Sequence, residues 1–92
     1  MSLERFLEAL VDPSTTVALS DFVEVSDLLP GELGLFARAW FGISAERQRW
    51  IISSMVELAE DTPELDFGAI FKMCLKDKDE VVQEKAMEGL WE

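Results

Sequence analysis

Histidine is missing from this chain, and with it the side chain most used for proton transfer near neutral pH and for holding metals. A lone cysteine, Cys74, excludes an internal disulfide and any cysteine cluster around a metal ion. Basic residues are scarce: 8 Lys and Arg stand against 19 Asp and Glu, a net charge of −11. A chain this acidic repels nucleic acid, whose binding rests on Lys and Arg neutralising phosphates. Anionic membrane surfaces are disfavoured on the same ground. No apolar run approaches the roughly 20 residues that a membrane-spanning helix needs. The opening residues Met1-Ser2-Leu3-Glu4-Arg5 lack the basic and apolar regions of a secretory leader, so a cytoplasmic location is expected. Gly-rich phosphate loops and the G-x-S-x-G nucleophile motif are absent too, and no catalytic residue and no cofactor is expected.

What remains is rich in core material. Apolar residues make up 49% of 92 residues, with three Trp and six Phe, enough for one compact domain. Five helices are expected. The first covers Leu3 to Val11, with Ser2 as its N-cap, Leu3, Phe6, Leu7 and Leu10 on one face, and Asp12-Pro13 as its stop. Residues 13–29 sustain neither period and are expected to form a connector packed on the surface, with one helical turn near Leu19 to Val23 or a short hairpin. Pro30 starts a second helix, with Leu33, Phe36, Ala37 and Trp40 inward and Gly42 ending it. Ser44 caps a third from Ala45 to about Glu60, with Ile52, Met55, Val56 and Ala59 inward.

The most informative stretch is Leu65 to Trp91. Phe67, Ile70, Phe71, Cys74 and Leu75 follow one helical stripe, beginning between Pro63 and Phe67 and ending near Lys76. A polar break, Lys76-Asp77-Lys78-Asp79, separates it from a fifth helix, Glu80 to Trp91, with Val82, Ala86, Gly89 and Leu90 inward. Setting 30–60 against 63–91 superposes Leu33, Phe36, Ala37 and Trp40 on Phe67, Ile70, Phe71 and Cys74, an offset of 34 residues. Short connections make sequential helices antiparallel neighbours. The expected domain is therefore a single unit: an N-terminal helix and packed connector over 1–29, a first helix pair over 30–60 and a second over 63–91.

The run from Leu75 to Leu90 resembles the core of a HEAT repeat. Leu75, Asp77, Asp79, Val82, Ala86, Gly89 and Leu90 stand where that family has its leucine, turn aspartates, valine, alanine and Gly-Leu pair. The match covers about 25 residues, while 30–60 matches by periodicity alone. Gln83 replaces the family's arginine, which commonly pairs with an aspartate of a neighbouring repeat. The chain is also similar to the N-terminal portion of bacterial HEAT-repeat proteins. The resemblance implies an all-α fold, antiparallel hairpins stacked as a short right-handed α-solenoid, and a scaffolding or protein-binding role. Stacking is what buries the apolar faces of such pairs.

In such a solenoid the second helices of each pair line one concave side. The stripes opposite their cores carry Trp50, Ser54 and Glu57 on the third helix and Glu84, Met87 and Trp91 on the fifth, which makes these six residues the candidate partner-binding strip. A protein partner is expected, with self-association through a C-terminal edge at Leu90-Trp91 as a further expectation. The alternatives are an acidic antagonist that occupies a basic site on another protein and, more remotely, a fragment of a HEAT-like lyase. Two acidic stretches invite a metal. The corner Glu57, Glu60, Asp61, Glu64 and Asp66 is expected to be solvated, and Asp77-Lys78-Asp79-Glu80 fails as a calcium loop because Val82 replaces the required glycine. Cys74, on an inward face, is expected to be core rather than nucleophile.

Overall fold

Local capping signals set most of the helix boundaries. In the computed structural model, which describes residues 2–91, helix α1 spans Leu3–Val11, and the Ser2 hydroxyl accepts from the Arg5 N–H at 3.3 Å. Met1, part of the leader expectation, and Glu92 lie outside the described residues. Helix α2 spans Pro30–Phe41, and Glu32 Oε1 accepts from the Leu29 N–H at 2.9 Å. Helix α3 spans Ala45–Asp61 behind the Ser44 cap, whose hydroxyl accepts from the Arg47 N–H at 3.3 Å. Helix α4 is shorter than expected, Gly68–Cys74, because Asp66 Oδ1 holds the Gly68 N–H at 2.8 Å and delays its start. Helix α5 spans Glu80–Trp91, with Asp79 Oδ1 accepting from Val81 and Val82 N–H groups at 2.9 and 3.1 Å. No strand occurs among the described residues, and no helix is long and apolar enough to cross a membrane.

The connector forms the helical turn expected near Leu19 to Val23 but corrects its expected place on the surface. Leu19–Val25 forms a 3₁₀ helix, and instead of lying on the surface it sends Phe22 and Val25 fully into the core, with Val17 buried before it. Phe22 meets Phe6 of α1 edge-on, with ring centroids 5.2 Å apart. The chain then turns at Asp27, the one non-glycine residue with positive φ (55°) among the described residues. There Asp27 N donates to Asp66 O at 2.8 Å and Asp66 N donates to Ser26 Oγ at 2.9 Å, so the two long connectors are stitched together.

Helix α1 packs on α2 and α2 on α4, while the 3₁₀ helix packs on α1 and α3, and α3 on α5. α4 and α5 form the close hairpin that the sequence anticipates. By contrast, α2 and α3 hold their backbones apart despite their short connection and are tied by Gln48 Nε2 donating to Trp40 O at 2.8 Å. The result is two rows, α1–α2–α4 and 3₁₀–α3–α5, filling 30 × 28 × 25 Å. Between them lies one apolar core holding Phe6, Leu10, Phe36, Trp40, Ile51, Ile52, Met55, Phe67, Ile70, Phe71 and Cys74. Leu75 and Leu90, expected inward, are each 38% exposed. Leu75 falls just beyond the end of α4, and Leu90 lies in the last turn of α5, at the mouth of a cleft beside Pro63 and Phe67.

Candidate functional site

Five of the six residues of the expected strip are exposed, and one is not. Ser54 is buried, with its hydroxyl donating to Trp50 O at 2.8 Å. That bond satisfies the polar group inside the protein and takes it off the surface. Trp50 is exposed along one edge and leans toward the 3₁₀ helix, its ring centroid 6.1 Å from that of Phe22. Arg49, its neighbour, pairs with Asp79 at 2.7 Å and so sets the start of α3 beside the start of α5. Met87 and Trp91 lie in the second half of α5; at ~1.5 Å per residue, Trp91 is about 18 Å of helix axis past Asp79. Glu57 and Glu84 are exposed on their helices. Trp91, 86% exposed, and Met87, also exposed, form an apolar end of α5.

An apolar patch lies elsewhere, between α1 and α2, as a shallow and open depression. A groove of about 420 Å³ is lined by Leu7, Val11, Leu35 and Ala39 and edged by Glu4, Glu8 and Asp12. The spacing explains the arrangement. Glu4 and Glu8, four residues apart, form one row along α1 that Asp12 follows at the C-cap, while Leu7 and Val11 form the row beside it. Leu35 and Ala39, again four apart, supply the opposing wall from α2. No Lys or Arg lines the groove. Glu4 and Glu8 make no ion pair among the described residues.

Asp12 is held firmly. Its carboxylate accepts from Ser14 N at 3.0 Å, Ser14 Oγ at 2.7 Å and Thr15 Oγ1 at 2.8 Å. The Ser14 and Thr15 hydroxyls, above all, keep its carboxyl below the usual range. Nearby, Arg47 spends its donors on α1 itself: Nε donates to Leu10 O at 2.6 Å, and Nη2 to Ala9 O and Thr15 O at 3.0 and 2.8 Å. This guanidinium caps the C-terminal end of α1 from another helix.

The sequence alone did not single out this groove. Val11 and Leu35 fall off the expected inner faces, and their apolar character away from those faces was the available signal. Their juxtaposition depends on α1 docking against α2 across the long 12–29 connector. Cys74 is buried as expected, and burial, with a smaller effect from Asp77, pushes its thiol up to about 12. In the acidic turn, Asp77 Oδ1 accepts from Asp79 N at 2.9 Å and Asp77 Oδ2 from Trp40 Nε1 at 2.8 Å, so those oxygens serve the turn. Among the described residues no three acidic or cysteine side chains converge as a metal-holding group. Comparison with protein-family models, with curated proteins and with solved structures finds no match to this chain.

Proposed function

We propose that this chain is a non-catalytic protein-interaction or scaffolding module, built as a short HEAT-like solenoid of stacked helix pairs. The observation that carries it is the order of neighbours: one row of α1, α2 and α4, and a second of the 3₁₀ helix, α3 and α5. First helices beside first helices, and second beside second, is how a solenoid buries faces that a single pair cannot. Like ends also meet. A Cβ placed on Gly42 at the end of α2 would lie 3.9 Å from Val11 Cγ1 at the end of α1. Trp40, near the end of α2, bonds Asp77 just past α4, and Arg49 joins the starts of α3 and α5.

Two equivalent glutamines add to this. Gln48 stands four residues after the Ser44 cap and Gln83 four after Asp79, and each donates its amide back to a backbone carbonyl, Trp40 O and Asp77 O. Gln83 occupies the position of the family's arginine, and the inter-pair ion bridge is made instead by Arg49 and Asp79. On this reading the protein acts in the cytoplasm by presenting surfaces, with Leu35, Trp50 and Met87 exposed on three different helices.

The test is in-cell photo-crosslinking from an unnatural residue placed at Leu35, Trp50 or Met87 in turn. At least one position is expected to give a discrete adduct, whose partner, once purified, binds with a dissociation constant below about 10 μM. If no position leads to a complex that survives purification, the interaction reading falls.

A further inference from the structure

We infer that the α1–α2 groove is a docking site for a basic amphipathic helix of a protein partner. The inference rests on the interaction reading above and names the surface and the chemistry of its occupant. Three observations fix that chemistry. The floor is apolar, from Leu7, Val11, Leu35 and Ala39, so the occupant brings apolar side chains of its own. One rim is a row of three carboxylates, Glu4, Glu8 and Asp12, with no basic side chain lining the groove, so it brings cations. Asp12 is locked in place by Ser14 and Thr15 and already feels the charge of Arg47, so Glu4 and Glu8 are the carboxylates left to meet those cations. Glu4 and Glu8 are exposed and without an ion-pair partner.

Shape decides for a helix over an extended segment. Strand addition needs a free sheet edge, and none exists among the described residues. The groove is shallow and open, lies between two helices and follows α1, which at nine residues is about 13 Å long, the length of two to three turns of a bound helix. Apolar anchors spaced i, i+3, i+4, i+7 fit such a trough, with flanking Lys or Arg reaching the carboxylate row. A second copy of this chain is a poor occupant, because its net charge of −11 opposes the acidic rim.

The probe is a fluorescein-labelled peptide of about 14 residues with leucines at that helical spacing and lysines on both flanks, beside its Leu/Glu counterpart. Binding to the full chain is read by fluorescence anisotropy. The Leu/Lys peptide is expected to bind at least about tenfold tighter than the Leu/Glu peptide, and to weaken about tenfold when salt rises from about 50 to 500 mM. Glu4→Gln with Glu8→Gln is expected to cost about tenfold, while Glu64→Gln with Glu80→Gln, the same charge change at exposed positions elsewhere, stays within about twofold. Leu35→Gln, which leaves the charge intact, is expected to cost about fivefold or more, with the helical circular dichroism of each variant unchanged.

Equal losses from the two glutamate pairs would mean attraction to the overall field and would overturn the inference. So would a dimer in sedimentation that Leu35→Gln abolishes and the peptide does not compete for, since the groove would then seat a second copy. Crosslinks that lead to a stable complex from Met87 or Trp50, with none from Leu35, would remove this inference and leave the interaction reading standing. Failure at all three positions would remove both.

Discussion

Trp40 Nε1 donates to Asp77 Oδ2 at 2.8 Å, joining the end of α2 to the α4–α5 turn across 37 residues. The indole is 2% exposed, so an acceptor lost there leaves a buried donor unsatisfied, and the other Asp77 oxygen also holds Asp79 N at 2.9 Å. Asp77→Ala is expected to lower the unfolding free energy by about 2–3 kcal/mol, and Asp77→Asn by about 1 kcal/mol because one acceptor survives. Urea unfolding in a double-mutant cycle with Trp40→Phe is expected to give a coupling of about 1 kcal/mol. Additive losses would show that the bond contributes nothing.

Gly89 sits against the ring of Phe71. A Cβ at this position would lie 2.5 Å from Phe71 Cε2 and 2.6 Å from Cζ, closer than atoms pack. Phe71 is buried and meets Phe67 edge-on at 6.2 Å between ring centroids, so its ring is hemmed in. Alanine gains about 1 kcal/mol of helix propensity over glycine, but overpacking costs about 1–3 kcal/mol. Gly89→Ala is expected to be destabilising by about 1–2 kcal/mol in urea unfolding, and Phe71→Leu in the same chain to recover most of that loss. A Gly89→Ala protein more stable than the parent would contradict this packing.

The boundaries of α1, α2, α3 and α5 were legible because their signals are local: Ser2, Ser44 and Asp79 as caps and Pro30 as a first residue. The stripes Phe36-Trp40 and Phe67-Ile70-Phe71-Cys74 were legible for the same reason. The helical turn near Leu19 to Val23 was legible, but its burial was not, because a 3₁₀ helix has a period of three and only the pair Phe22 and Val25 carries it. Ser54 was placed outside because polar residues usually stay in water, whereas its bond to Trp50 O lets it sit inside. The α1–α2 groove was out of reach, since it is created by docking across the connector and no stretch of sequence contains it. Arg47 was invisible for a related reason: its partners, Ala9, Leu10 and Thr15, are some thirty residues away and are backbone carbonyls, which every residue has.

Arg47 is expected to matter more than a half-buried surface cation usually does. Three carbonyls at and after the end of α1 depend on one planar guanidinium, and hydrogen bonds to charged donors are worth about 1.5–3 kcal/mol. Arg47→Ala is expected to lower stability by about 2–3 kcal/mol and to speed hydrogen exchange in the last turn of α1. Arg47→Lys keeps the charge near the negative end of the helix, worth about 0.3–1 kcal/mol, but loses the fork, so it recovers less than half. Full rescue by lysine would mean that charge alone acts there.

Cys74 is packed among core side chains, and its thiol is raised from an ordinary 9.0 to about 12, mainly by burial and then by the Asp77 carboxylate. The thiolate is the reactive form, so the native protein is expected to react with iodoacetamide at pH 8 at least about a hundredfold more slowly than the urea-unfolded chain. The same shift has a sign for stability. Between pH 9 and 12 the unfolded thiol gives up its proton while the folded one keeps it, so the folded state binds more protons and stability falls as pH rises. Below pH 9 that contribution is fully present. The unfolding midpoint is therefore expected to drop across this window more steeply in the parent than in Cys74→Ala, which also leaves alkylation at zero. Parallel slopes for the two proteins, or fast alkylation of the native chain, would place the thiol at the surface and contradict the packing of α4 against α5.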